Sequence, residues 1–433
     1  MANIGLFQTG RPVYITDGCR TPFLKSRGRP GPFRASDLAV AAGRALLLRQ
    51  PFGPEELDEV LLGCVNPGPD ETNIARVVSL RLGCGSRVPA WTLHRNCGSG
   101  MQAIDSAATN IAAGRSDLVL AGGTEAMSHS PLLLNTSMVR FFGDWNRSRN
   151  VWKKIALLGR LRPAYFRPVI GLLHGLTDPI AGLSMGQTAE NLADLFHISR
   201  ERMDAYAVES HRRLALAQDE GRLTEIVPLY TEEGACFDRD EGLRRTTDMS
   251  VLARLKPAFD RPFGRITAGN SAQVTDGAAW VILASEEAVR KYRLQATGRI
   301  IACSWVGVEP EKMGLGPVHA MTQILKQLGL GAEDIDCWEI NEAFAAQVLA
   351  CLEAWVSPEY CRNELGLDGP WAGIDTDRLN VDGGALAVGH PVGTSGTRIV
   401  LHLIDVMIRK RLKRGMASLC IGGGQGGAML IER

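Results

Sequence analysis

Four short segments of this chain carry residue types able to make and break bonds at carbon. Cys97 stands in Arg95-Asn96-Cys97-Gly98-Ser99-Gly100, and His390 in Gly389-His390-Pro391-Val392-Gly393-Thr394-Ser395-Gly396. Cys420 opens Cys420-Ile421-Gly422-Gly423-Gly424-Gln425-Gly426, and the fourth segment is Asn341-Glu342-Ala343-Phe344. Glycines and small residues surround each one, so backbone can approach a ligand closely. Together they describe a thiol nucleophile, a base to activate it, and a second thiol to move a proton on carbon.

Each residue also has a plainer reading. A lone Cys before an apolar helix is commonly a packing residue. Against that, Gly98, Ser99 and Gly100 permit a tight, open turn, and the run Met101 to Ala108 reads as helix. That places Cys97 near a helix N-terminus, where the dipole and free N–H groups are predicted to lower its pKa. His390 could be a turn residue or a lone metal ligand. The eight histidines contain no His-x-His or His-x-x-x-His pair, so no metal site is expected. Cys420 follows a β-like run and could be a core residue at a strand end. The glycines after it can instead present bare N–H groups to a small anion, as an oxyanion hole requires. The same glycines fit the dinucleotide pattern Gly-x-Gly-x-x-Gly, but only Ala428 to Arg433 follow, too short for the βαβ unit that pattern needs. Asn341 is predicted to cap a helix starting at Glu342.

The elements that must position these residues echo each other along the chain. Glu55 to Gly63 reads as a helix end feeding a strand, and Ala332 to Ile340 repeats the pattern. The first stretch continues with a Cys-led helix (97–113) and a strand ending at Gly122-Gly123. The second continues with a His-led loop, a helix (394–411) and a strand ending at Gly422 to Gly424. Alternating strand and helix signals mark α/β units with covered sheets. Between them, from about Met127 to Arg261, the chain is helix-rich and loop-rich. There Met203, Tyr206, Ser210, Leu214 and Ala217 share a helical face that Gly221 ends.

Composition narrows the class further. With 433 residues the chain can form two or three packed units. A net charge of +1 argues against a general nucleic-acid binder. The ten cysteines include no Cys-x-x-Cys pair, which fits a reducing compartment, and the expected location is cytoplasmic. The start of the sequence shows no secretory signal pattern, and no apolar run suggests a membrane span.

The four segments resemble those of the thiolase family, and the resemblance runs from about Tyr14 to Arg433. Within the family, Arg20 to Ser26, the basic stretch near 138–170 and Leu255 to Phe259 resemble 3-ketoacyl-CoA thiolases of the trifunctional-enzyme β-subunit type. The resemblance implies a five-layered αβαβα core of two similar halves (1–126 with 262–290, and 291–433) plus an inserted loop domain (127–261). It implies thiolytic cleavage of 3-ketoacyl-CoA by CoA in fatty acid β-oxidation, through an acyl-Cys97 intermediate. His390 would take the proton of Cys97 and Cys420 would serve as acid and base at carbon. Asn341 would hold a polarising water, and the Gly422 amide would join the Cys97 amide in an oxyanion hole. Met185, Ala268, Gly269, Ser271, Met313, Ala343 and Phe344 match positions lining the pantetheine arm of coenzyme A, which is a substrate here; no cofactor is implied. Ser184 stands where many acetoacetyl-CoA thiolases have His, Ala272 where many have Ser, and Asn341 where β-subunits often have His. The alternatives are a biosynthetic acetoacetyl-CoA thiolase and, more remotely, a non-catalytic thiolase-like lipid-binding protein. A homodimer or tetramer is implied, and a hydratase/dehydrogenase partner subunit is a further expectation. Stretch 138–170 holds Arg140, Arg147, Arg149, Lys153, Lys154, Arg160, Arg162 and Arg167 against Asp144 alone. With its interleaved aromatic and aliphatic residues it could lie on an anionic membrane, contact a partner or cover the substrate.

Overall fold

The structure, a computed structural model, describes residues 5–6, 10–371 and 373–433. Its main strands are β1 (Val13–Arg20), β2 (Glu59–Gly63), β3 (Ala90–Leu93), β4 (Leu118–Ala126), β5 (Thr275–Ser285), β6 (Gly298–Gly307), β7 (Cys337–Ile340), β8 (Arg414–Ile421) and β9 (Gln425–Glu432). Its main helices are α1 (Ala35–Leu47), α2 (Ile74–Arg81), α3 (Ser99–Ala112), α4 (Thr136–Arg147), α5 (Val151–Leu158), α6 (Met185–Leu195), α7 (Arg200–Asp219), α8 (Gly316–Leu328), α9 (Ala345–Val356) and α10 (Ser395–Lys410).

The strands run β7-β8-β9-β6-β1-β5-β4-β2-β3, and the two halves of that order follow one rule. In the first, β2 is parallel to β4, β4 antiparallel to β5, and β5 antiparallel to β1. In the second, β7 is parallel to β8, β8 antiparallel to β9, and β9 antiparallel to β6. The counterpart of β3 has shrunk to a single parallel bridge between Trp338 and Leu379. The halves meet where Gly298 and Arg299 of β6 face Ile15 and Tyr14 of β1. The repeated lead-ins are present as well. A 3-10 turn at Pro54–Glu56 precedes β2, and one at Ala332–Asp334 precedes β7.

Strand periodicity divides the core into layers. On β4, Leu118 and Leu120 pack with α1 and α2, whereas Val119 and Ala121 pack with α3 and α10. On β5, Trp280 belongs to the outer cluster, its indole donating to Ala39 O at 2.8 Å, and Val281 to the inner one. The outer face of the second sheet, with Trp338, Met416 and Leu430, is covered by α8 and α9. Helices therefore lie outside each sheet and between the two, in five layers. The predicted end of β4 at Gly122-Gly123 is overrun, and the strand reaches Ala126. A Cβ at Gly122 would strike Trp280, and one at Gly123 the Gly393 carbonyl. These glycines admit neighbours and do not end the strand.

The intervening region holds α4 to α7. On α7, Met203, Ser210, Leu214 and Ala217 are buried, and Gly221 follows at φ +64°. Helices α4 and α5 are capped by Asn135 and Asn150, whose side chains accept from Met138 N (3.1 Å) and Trp152 N (2.8 Å). Met138 is buried, but many of their other apolar residues face outward. Val139, Phe142, Val151, Ile155 and Leu158 are exposed, and Trp152 is 74% exposed. No helix among the described residues is long and apolar enough to cross a membrane. The segment from Arg20 anchors this region to the first half. Buried Arg20 binds Asp240 (2.7 Å) and Glu225 (3.1 Å).

Candidate active site

Cys97 lies in the loop from β3 to α3. Asn96 takes φ +44°, a left-handed conformation that Asn tolerates. Ser99 Oγ donates to Asn96 O (2.7 Å) and accepts from Arg95 N (2.8 Å), closing the turn. Helix α3 starts at Ser99, so Cys97 lies just before its first turn. The His390 loop leads in the same way into α10, which starts at Ser395. The two helix starts touch backbone to backbone. A Cβ on Gly100 would sit 2.9 Å from Gly393 O, and one on Gly396 2.5 Å from Met101 N. Only glycine allows this approach, which sets the Cys97 and His390 loops side by side. The third loop, the β8–β9 turn, closes in from the second sheet. Gly423 and Gly424 adopt positive φ there, and Asn96 Nδ2 donates to Gly422 O at 2.8 Å.

The charge states differ from the sequence expectation at Cys97. Burial pushes its thiol up to about 11, against the N–H groups of Gly422 and of Cys97 itself, which favour the anion. The nearby Glu125 carboxyl raises it further. The helix start is present, but desolvation outweighs it, so the resting nucleophile is a thiol and not the expected thiolate. Burial, then the proximity of Cys97 and Cys351, holds the Cys420 thiol well above the usual range. His390 is lowered to about 4 by burial and by the Arg398 charge, so its imidazole is neutral and free to accept a proton. Its Nδ1 lies 2.6 Å from Ser395 Oγ, and Asn341 Nδ2 lies 3.4 and 3.5 Å from the two ring nitrogens.

Asn341 is not a helix cap. Helix α9 starts at Ala345, because each residue between has another partner. Arg398 reaches both Glu339 (3.1 Å) and Asn341 Oδ1 (3.5 Å). Glu342 accepts from Ser210 Oγ (2.7 Å), Asn380 Nδ2 (2.9 Å), Tyr206 OH (3.1 Å) and Leu386 N (3.2 Å). Phe344 bridges to Ser271. The segment is thus an anchored extended strip that holds the Asn341 amide against His390.

A cavity of about 380 Å³ opens beside Cys97, Met185, Gly422 and Gly423. Of the positions matched to pantetheine, only Met185 lines it. Met313, Ala343 and Phe344 are buried in the outer core of the second half. Ser271 Oγ donates to Thr267 O (2.7 Å), Gly269 lies against Leu252 and Leu255, and Ala268 is exposed. Ser184 caps α6. Two features had escaped the sequence reading. One is the opposite cavity wall, Leu172 to Ile180. The other is Glu125, whose carboxylate accepts from Val65 N (2.9 Å), Asn66 N (3.0 Å) and Gly393 N (3.1 Å), tying the cavity rim to the His390 loop. A lone acid in the fully buried strand β4 was the available signal. The glycine turn after Cys420 runs into β9 and not into a helix, which removes the dinucleotide reading. Glu225, His402 and Asp405 could bring ligand atoms within 4.8 Å of one another. His402 is already bonded to Glu225 (3.1 Å) and Asp382 (3.4 Å) and raised to about 10 chiefly by Glu225, despite burial, so the group acts as an ion-pair network.

Three loops converging on one thiol, from two repeated halves, coincide with a family match over both. "Thiolase, N-terminal domain" matches residues 13–287 and "Thiolase, C-terminal domain" residues 294–433. The chain belongs to the thiolase family. It is 40% identical over 430 residues to an Escherichia coli 3-oxoadipyl-CoA/3-oxo-5,6-dehydrosuberyl-CoA thiolase, covering 98% of this chain and 100% of that protein. It is 35% identical to an acetyl-CoA acetyltransferase of Allochromatium vinosum, covering 97% and 99%. Human mitochondrial 3-ketoacyl-CoA thiolase has a similar structure, with a TM-score of 0.83, 36% identity, and 99% and 100% of the two chains covered. This thiolase is an acyltransferase acting on acyl-CoA, and its five-layered α/β core is the family's.

Proposed function

We propose that this thiolase cleaves 3-ketoacyl-CoA with free CoA through an acyl-Cys97 intermediate. The supporting observation is that Cys97, Gly422 and Gly423 line one cavity, with the Gly422 turn tied to Asn96 and the His390 loop set beside Cys97 by the close approach at Gly100 and Gly396. His390 takes the proton of the Cys97 thiol as its sulfur attacks the 3-keto carbon, so no standing thiolate is needed. The bond between C2 and C3 then breaks, and its electron pair passes to the enolate of acetyl-CoA. The Cys420 thiol gives its proton to C2. The His390 imidazolium then gives its proton to the Cys420 thiolate, which resets both groups. The thiol of CoA attacks the acyl group on Cys97, His390 takes that proton and passes it to the departing Cys97 sulfur, and the Cys97 thiol is restored. The Cys97 and Gly422 amides stabilise the oxyanion at the acyl carbon, and Asn341 with His390 the thioester oxygen of the departing enolate. The names of the relatives span 3-oxoadipyl-CoA, acetyl-CoA and 3-ketoacyl-CoA, all served by this chemistry forwards or in reverse.

Brief incubation with acyl-CoA is expected to add one acyl mass to the peptide holding Cys97. Cys97→Ser is expected to abolish both adduct and thiolysis, since an alcohol is scarcely ionised near neutral pH. Acylation of Cys420 with Cys97 untouched would overturn the roles. Rates with 3-ketohexadecanoyl-CoA against acetoacetyl-CoA separate fatty acid degradation from acetoacetyl-CoA synthesis. For the outward apolar and basic faces of α4 and α5 we propose contact with an anionic membrane surface, supported by the surplus of Arg and Lys around exposed Val151, Trp152 and Ile155.

A further inference from the structure

We propose, on the basis of the thiolysis reading, that the cavity beside Cys97 receives the acyl tail and selects uncharged tails over those ending in a carboxylate. Its near end is formed by Cys97, Met185 and Gly422, where the acyl thioester must sit. Its far walls are largely apolar, with Val65, Met127, Leu172, Leu176 and Ile180. No Arg or Lys is among the residues that line it, His174 being its one basic side chain, and the basic residues of α4 and α5 lie outside it. The wall does contain a carboxylate. Asp178 is 3% exposed, and its Oδ1 accepts from the N–H groups of Ile180 (2.8 Å) and Ala181 (2.9 Å). Among the described residues no basic side chain forms an ion pair with Asp178. A tail ending in methyl gains by leaving water here. A tail ending in carboxylate loses part of its hydration, finds no Arg or Lys and faces a fixed like charge.

Two unit charges roughly 6 Å apart at an effective dielectric near 20 repel enough to disfavour the anionic tail by on the order of 100-fold. The matched probes are 3-ketohexanoyl-CoA and 3-ketoadipyl-CoA, which have equal chain length and differ in a terminal methyl against a carboxylate. With the full-length wild-type enzyme, kcat/KM is expected to favour 3-ketohexanoyl-CoA by on the order of 100-fold. Equal rates, or a preference for 3-ketoadipyl-CoA, would overturn the inference. Asp178→Asn keeps the acceptor for Ile180 and Ala181 and removes the charge. It is expected to shift the ratio toward 3-ketoadipyl-CoA by on the order of 100-fold, the repulsion having been removed; an unchanged ratio would also overturn it. Acetoacetyl-CoA tells the two readings apart. If it is cleaved while the six-carbon pair is not discriminated, only the charge selection fails. If no 3-ketoacyl-CoA is cleaved, the thiolysis reading fails, and the inference with it.

Discussion

Glu125 gives the sharpest test of the site's electrostatics. Its side chain is wholly buried, and its carboxyl is raised from 4.5 to about 7. Burial is the main cause; the amides of Val65, Asn66 and Gly393 oppose it, and Asp276 adds to it. Cys64 and Cys97 are the other titratable groups that feel its charge. Because the folded pKa lies above the unfolded one, the native state holds a proton that the unfolded chain has released. The group's contribution is full below pH 4.5 and is lost as pH rises toward 7. For a shift of this size the loss between pH 5 and pH 8 is about 2.5 kcal/mol. Glu125→Gln cannot ionise, so it lacks this loss. It suffers a different one: its amide nitrogen cannot accept, which leaves a buried N–H unpaired at a cost of about 1–3 kcal/mol at any pH. Urea unfolding of both proteins at pH 5 and pH 8, at matched protein concentration, isolates the titrating part. The variant's deficit is expected to shrink by about 2.5 kcal/mol on going to pH 8. A deficit that stays constant with pH would refute the argument that Glu125 titrates in the folded site.

Three other outcomes are expected. Cys420→Ser retains acylation of Cys97 from an acyl-CoA donor but loses α-proton exchange of acetyl-CoA, read by deuterium incorporation, since only the carbon–carbon step needs an acid and base at carbon. Gly123→Ala forces a methyl into the Gly393 carbonyl and lowers stability by about 1–3 kcal/mol, measurable by urea unfolding, with kcat falling because the His390 loop is displaced. Sedimentation with anionic liposomes is expected at low salt and lost at high salt, and absent with neutral liposomes, at about 1 kcal/mol per basic residue reaching the surface; retention by neither would refute the membrane contact of α4 and α5.

The parts of this molecule legible in its sequence are those where backbone must come close to backbone. Gly100, Gly393 and Gly396 mark the meeting of α3 and α10, and they fall inside the same motifs that expose Cys97 and His390. The repeated lead-ins to β2 and β7 were legible because local turn chemistry recurs. What escaped depends on surroundings assembled from distant segments. The pKa of Cys97 follows from how much protein closes over it, so a helix start beside it was an insufficient guide. Asn341 fits a cap by type, but Arg398 and His390, both from the last part of the chain, hold it elsewhere. Leu172 to Ile180 shows no periodicity because only its start lies in a short helix (Gly171–Gly175) and the rest is an irregular cavity wall.

The place of β1 in the sheet also dictates an order of events during synthesis. Among the main strands its partners are β5, which starts at Thr275, and the first residues of β6. A chain emerging from the ribosome therefore carries β1 unpaired while more than half of the protein is made. The first sheet cannot close until β5 slots between β1 and β4, and by then the whole intervening region has already emerged. Pairing across such a separation is slow, because a long loop must be closed before any contact rewards it. The edge of β4, buried in the finished protein, stays open from its own synthesis until β5 arrives and can join another strand. The thiol at Cys97 is thus made early but gains its catalytic surroundings last, when β8, β9 and the Cys420 turn leave the ribosome.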